Sequence, residues 1–214
     1  MTRAGVAPGV HRGKPTNSMD TRLLLVSHAS TAAQRAGRFP ADDPLDARGR
    51  AETEAAAARL RGALPGDASA FVSPAVCARE TAFVLGLDAT PDDALADMNY
   101  GNWQGRRLAD LAIDAPQELA AWTHDPDAAP PGGESFSQLV RRMGQWLDAL
   151  GTTSGASRRA HGVIAVTHAP LLRAAIVHAT GASPTVFPRI EIAPLSVVEL
   201  RCSQRVWTWW PGAL

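Results

Sequence analysis

The chain has 214 residues, is 45% hydrophobic and 20% charged, and balances 21 basic against 21 acidic residues. That is the composition of one globular domain with a substantial core, and it excludes the basic footprint of a nucleic-acid binder. No apolar run reaches membrane-spanning length, and Cys77 and Cys202 are far apart in the chain, make no metal-ligand cluster by spacing and fit a reducing compartment.

Residues 1–18, rich in Gly, Pro and scattered basic residues, lack the apolar core of a secretory signal. They are expected to form a flexible tail, with Met19 as an alternative start and the domain running from 19 to 214. A cytoplasmic location is the expectation. "RLLLVS" (22–27) is a short continuous apolar run, the pattern of a strand buried on both faces. The turn-rich "GRFPADDPLDARGR" follows, then "AETEAAAARLRGAL", whose Ala, Glu, Arg and Leu predict a helix. "SAFVS" (69–73) predicts a second buried strand. Pro74 is placed for a first helical turn, and the helix is expected to run to Gly86.

The middle of the chain is loop-rich with short helical pieces. Ser135 and Gln138 form a capping box ahead of Phe136, Leu139, Val140, Met143, Leu147 and Leu150 at helical spacing, with Gly151 as the expected stop. "GVIAVTHA" (162–169) predicts a third buried strand, followed by the helix "PLLRAAIVHATG". "LSVVELR" and "RVWTWW" predict a hairpin around Ser203-Gln204. The alternate aromatics of the last strand suit either packing on one face or a homodimer surface. Strands alternating with helices imply a sheet covered on both faces.

One echo stands out: "LLLVSHAS" and "VIAVTHAP" are both an apolar strand, a hydroxyl residue and then His-Ala. Carboxyl ends of parallel strands face the ligand crevice, so two strands would deliver His28 and His168 to one place. A lone strand-end histidine is ordinarily a satisfied structural residue; a matched pair weakens that reading considerably. His11 in the tail, His124 in a loop, His161 before a strand and His178 in a helix lack this context and are taken as structural or surface groups.

These motifs resemble the histidine phosphatase superfamily, the phosphoglycerate-mutase-like fold, over roughly residues 22 to 200. The resemblance rests on Ser27-His28-Ala29 where the family has Arg-His-Gly, and on "GRFPADDPLDARGR", "SPAVCARETA", "LADMNYGNWQG", "PGGES" and "VTHAPLLRA", in family order. It implies an α/β, three-layer fold with a mostly parallel sheet flanked by helices. It implies that His28 is the nucleophile that becomes a phosphohistidine, that His168 binds the phosphoryl group, and that Asp97 donates a proton to the leaving oxygen and then activates water. No metal or other cofactor is implied, and the ligand class is a small phosphorylated metabolite, with the α-ribazole phosphatase-like members nearest in look.

The pattern breaks at two positions. The family's phosphate-clamping arginines fall at Ser27 and Cys77. Serine and cysteine cannot supply a planar, permanently charged fork, and a hydrogen bond to a charged group is worth about 1.5–3 kcal/mol. Arg35, Arg38, Arg79, Arg106, Arg107 and Arg173 lie in segments that line the family's pocket. Arg35 and Arg38, on the loop after His28, are the better candidates for replacement, the alternative being exposed loop charges; Ser27, Arg35, Arg38 and Cys77 form the expected substrate-binding set, and Arg173 is read as structural. Cys77 is read either as a thiol activated by a helix N-terminus or as a small packing residue. Two functions stay open: a phosphomonoester hydrolase, or a degenerate or repurposed member of the same fold that binds ligands or runs non-phosphate chemistry.

Overall fold

The computed structural model describes residues 21–63, 68–153 and 161–211. The expected tail, His11 and Met19 lie outside the described residues. Six strands form one sheet: β1 (Thr21–Ser27), β2 (Ser69–Val72), β3 (Thr90–Pro91), β4 (His161–Thr167), β5 (Val197–Ser203) and β6 (Val206–Trp210). Their order is β3-β2-β4-β1-β5-β6. The first four are mutually parallel, and β5 and β6 add an antiparallel edge. The helices are α1 (Ala32–Arg35), α2 (Ala47–Gly62), α3 (Val76–Val84), α4 (Leu108–Asp114), α5 (Pro116–His124), α6 (Phe136–Thr153) and α7 (Ala169–Thr180). None of the described helices is long and apolar enough to cross a membrane.

The strand alternation sorts side chains to two faces. Leu23 and Leu25 of β1, with Val163 and Ala165 of β4, join the core under α6 and α7. Leu24 and Val26, with Ile164 and Val166, join the core under α2 and α3. Both faces are therefore dry, which is why these strands read as unbroken apolar runs. Each leucine so buried is worth about 1.5–3 kcal/mol over exposure.

The capping box at α6 forms as expected: Gln138 N–H donates to Ser135 Oγ at 3.2 Å, and Ser135 N–H donates to Gln138 Oε1 at 2.8 Å. Several boundaries move for physical reasons. Helix α2 starts four residues earlier than its Ala-rich run, because Asp46 caps it by accepting from Gly49 N–H at 2.8 Å. Pro74 falls outside the first turn of α3, one residue before its cap Ala75. Gly151 does not stop α6, which continues to Thr153. Its missing side chain instead admits Cys202, whose Sγ would lie 3.2 Å from a Cβ there. His124 closes α5 rather than sitting in a loop. The hairpin turn falls one residue later, at Gln204 and Arg205, both with positive φ, the pairing of a two-residue turn matched to strand twist.

Candidate active site

Register builds the centre of the site. In the parallel pairing of β1 with β4, Ser27 stands opposite Thr167. The next residue on each strand is a histidine, and His28 N–H donates to Thr167 O at 2.8 Å. The two rings meet edge to face with centroids 4.9 Å apart, about the spacing of neighbouring strands. His168 also begins α7, as its cap residue. Ser73 N–H donates to Val166 O at 2.9 Å, which brings Ser73 Oγ to 2.8 Å from His168 Nε2. Thr81 of α3 ties the loop after His28 to that helix, accepting from Ala29 N–H at 3.1 Å and donating to Cys77 O at 2.7 Å.

The proton on His28 has a defined place. Its Nδ1–H donates to Ala29 O at 2.7 Å, so the lone pair is on Nε2. Burial first, then the neighbouring His168, lowers the His28 pKa to about 4. Burial, with the Arg142 charge adding, lowers that of His168 to about 3. Both imidazoles are neutral at pH 7. His168 Nδ1 makes no aligned hydrogen bond and faces Asp97 Oδ2 at 3.3 Å.

Asp97 is held by its loop. Arg142 of α6 donates to the carbonyls of Ala94 (2.8 Å), Ala96 (2.9 Å) and Asp97 (3.2 Å), and pairs with Glu134 at 2.7 Å. Thr167 Oγ1 donates to Leu95 O at 2.7 Å and pins the same loop to the end of β4. The Asp97 carboxylate accepts from Met98 N–H at 2.7 Å. Burial raises its pKa to about 6, against the opposing pull of His28 and the Met98 N–H. A carboxylic acid that keeps its proton near pH 6 suits general acid and base work.

Two adjoining cavities open on this centre, and His28, Asp97, His168 and Tyr100 line both. The first, about 250 Å³, is further lined by Asp42, Asp43 and Cys77, and no arginine among the described residues borders it. The second, about 320 Å³, has an aromatic wall of Phe39 and Trp122 and contains Arg38 and Arg173. Asp42 holds a left-handed backbone, φ 61°, and its carboxylate accepts from Val76 N–H at 2.7 Å at the start of α3. It thus occupies donor capacity that an anion would otherwise use.

The site residues expected from sequence divide. His28, His168 and Asp97 come together. Cys77 borders the first cavity, packed with Ala29 and Leu45. Burial, with the Asp97 charge adding, pushes its thiol up to about 12, so an activated thiol is corrected to a protonated packing residue. Ser27 is 2% exposed and lines neither cavity. Arg35 does not replace the clamp: its guanidinium pairs with Asp46 and donates to Ser30 Oγ at 3.1 Å. Arg38 does border the second cavity and donates to Gly105 O at 3.2 Å. Arg173, read as structural, borders it too, with Nε buried and without a hydrogen bond among the described residues.

Ser73, Thr81 and Arg142 went unrecognised as positioning residues. The first two lie inside the "SPAVCARETA" motif, but nothing local marks Arg142, whose partners are about 45 residues upstream. Cys spacing along the chain did not reveal one further grouping: β1, β4 and α3 bring one ring nitrogen of His28, one of His168 and Cys77 Sγ within 4.8 Å of one another.

A mostly parallel sheet with a neutral histidine pair and an acid at its carboxyl edge defines a class of protein. Residues 23–210 match the histidine phosphatase superfamily (branch 1), and the chain belongs to that family. Among curated relatives it is 32% identical over 199 residues to a bifunctional protein of Mycobacterium tuberculosis, covering 88% of this chain and 51% of that one. This chain thus spans about half the length of the relatives it matches there. It is 33% identical over 136 residues to the adenosylcobalamin/alpha-ribazole phosphatase of Salmonella typhimurium, covering 60% of this chain and 66% of that one. Among solved structures, a mycobacterial glucosyl-3-phosphoglycerate phosphatase superposes with a TM-score of 0.77 at 26% identity, over 90% of this chain and 100% of that one.

Proposed function

We propose that the protein hydrolyses a phosphomonoester of a small metabolite through a phosphohistidine at His28. The observation that carries this is the His28 hydrogen bond to Ala29 O, which leaves Nε2 unprotonated beside a carboxyl group that keeps its proton near pH 6. In the first step a bond forms from Nε2 to phosphorus and the ester P–O bond breaks. The Asp97 proton passes to the leaving oxygen. In the second step Asp97, now a carboxylate, takes a proton from water as its oxygen attacks phosphorus and the N–P bond breaks. His168, its ring held by Ser73 Oγ at Nε2, acts as a neutral polar partner to a phosphoryl oxygen.

The phosphoryl group occupies the first cavity and the rest of the substrate the second. There Phe39 and Trp122 offer apolar area, and Arg38 and Arg173 offer charge to an acceptor-bearing group. The two phosphatases among the similar proteins support this reading. Phosphate release from a panel of small phosphomonoesters tests it, with His28→Ala alongside. Release that vanishes in the variant, with an acid-labile phosphoryl adduct trapped on the wild type, is expected. Equal release by both would remove His28 from the mechanism.

A second reading draws on the charge of the first cavity, where Asp42, Asp43 and Asp97 gather without an arginine. It is a repurposed pocket for a less anionic ligand, and it predicts no turnover of any ester in the panel.

A further inference from the structure

The first cavity is poor in positive charge and rich in ligating atoms. Where the family has a guanidinium, Cys77 supplies sulfur. One ring nitrogen of His28, one of His168 and Cys77 Sγ lie within 4.8 Å of one another, and all three residues are buried. The nitrogens carrying no hydrogen bond among the described residues are His28 Nε2 and His168 Nδ1. Their opposite nitrogens are held by Ala29 O and Ser73 Oγ. That is the support a ligating imidazole needs, since the partner fixes the ring and leaves the other nitrogen free for a metal. Asp42, Asp43 and Asp97 line the same cavity, and Asp97 Oδ2 stands 3.3 Å from His168 Nδ1. An arginine at position 77 would repel a cation from this spot, and its loss lifts that repulsion.

We propose that His28, His168 and Cys77 form a binding site for a borderline-soft divalent cation of the zinc class. Two imidazoles and a thiolate match that ion's preference, and carboxylate-only ions such as magnesium are disfavoured by the sulfur. In a tetrahedral site with bonds of about 2.0–2.3 Å, ligand atoms stand about 3.3–3.8 Å apart. The three atoms therefore close by at most about 1.5 Å from their present bound of 4.8 Å, a side-chain adjustment. Two Zn–N bonds and one Zn–S bond form, the thiol proton leaves to solvent, and the fourth position takes water. The His28 lone pair then lies in a bond to metal and cannot attack phosphorus. The ion and phosphoryl transfer exclude each other. This last consequence rests on the proposed hydrolysis, whereas the binding site does not.

The test is a spectroscopic titration of the chelator-treated full chain with Co²⁺. One equivalent is expected to produce a thiolate-to-cobalt charge-transfer band, and Zn²⁺ is expected to displace it. Cys77→Ser should abolish the band. His28→Gln should weaken binding by at least about a hundredfold, the upper end of what losing a supporting contact costs. Cys77→Arg should remove both band and binding. Thermal melts of each variant separate a lost site from a lost fold. A wild-type band that survives in Cys77→Ser, or the absence of any band, would overturn the site. Because the readout is optical, it stands whether or not any ester is hydrolysed. If esters are turned over, Zn²⁺ should silence the enzyme in proportion to the fraction of sites filled.

Discussion

Replacing Cys77 by arginine places a guanidinium at the first cavity, and two effects of opposite sign can be worked out. Cys77 is 6% exposed and touches Ala29 and Leu45, so the longer side chain must extend into the adjoining cavity of about 250 Å³. There it meets Asp97 and Asp42, the two carboxylates whose charges act on the thiol. A charge-assisted contact to a phosphoryl group is worth about 1.5–3 kcal/mol. At about 1.4 kcal/mol per tenfold, kcat/KM for a phosphomonoester should rise on the order of 10- to 100-fold. The same charge favours the Asp97 carboxylate, lowers its pKa from about 6 and moves the alkaline limb of the pH profile down. The assay is kcat/KM for p-nitrophenyl phosphate from pH 3 to 9 in both proteins, with a thermal melt of each. A folded variant with unchanged or lower kcat/KM at every pH would refute the view that missing positive charge limits phosphate turnover here.

For the wild type, the proposed hydrolysis has neutral His28 attack and the Asp97 acid protonate the leaving group, so the rate should rise with pH through about 4. Protonation of the leaving group requires the Asp97 acid, so it should fall through about 6. A bell-shaped kcat/KM with an acidic optimum is expected, its two values belonging to the interacting pair; a profile that climbs steadily past pH 7 would exclude Asp97 as the acid. Arg142→Met strips three hydrogen bonds from the Asp97 loop and a fourth from Glu134, which then keeps the Asn99 N–H at 2.9 Å but loses its cation. A loss of about 2–4 kcal/mol is expected, which calorimetry should register as a drop in Tm of roughly 4–16 °C for a domain of this size. The variant's residual activity should fall mainly in kcat, since Asp97 loses its position rather than the cavity its walls.

The two central strands were legible because β1 and β4 are buried on both faces, whereas the two-residue, exposed β3 carries no such run. Four consecutive apolar residues in β1 and the run in β4 admit few other readings, and the His-Ala echo follows from the same register that pairs the strands. Asp97 came from its place in a motif, not from periodicity. Arg35 differs from its expected place because loop geometry decides where its guanidinium goes. Asp46, the cap of α2, captures that guanidinium, and sequence offers no means of ranking this acid above a distant phosphate. Arg173 was passed over for the converse reason. A helix is an ordinary place for an arginine, and only the cavity shows that its Nε stays without a partner among the described residues. Arg142 acts across a long stretch of chain, which no local pattern encodes.

The distance between the two histidines is a matter of ladder hydrogen bonds, not of loops. Each ring sits one step beyond a paired residue of adjacent parallel strands, so its placement is as stiff as the centre of the sheet. The walls that meet the rest of a ligand are built differently. Gln34, Arg38, Gln104 and Trp122 all come from loops or short helices at the sheet's edge. Insertions, deletions and exchanges in those segments can redraw what enters while leaving the imidazole pair untouched. Selectivity and reactivity can therefore drift independently in this chain, and a lineage can change its ligand many times on one unaltered pair of rings.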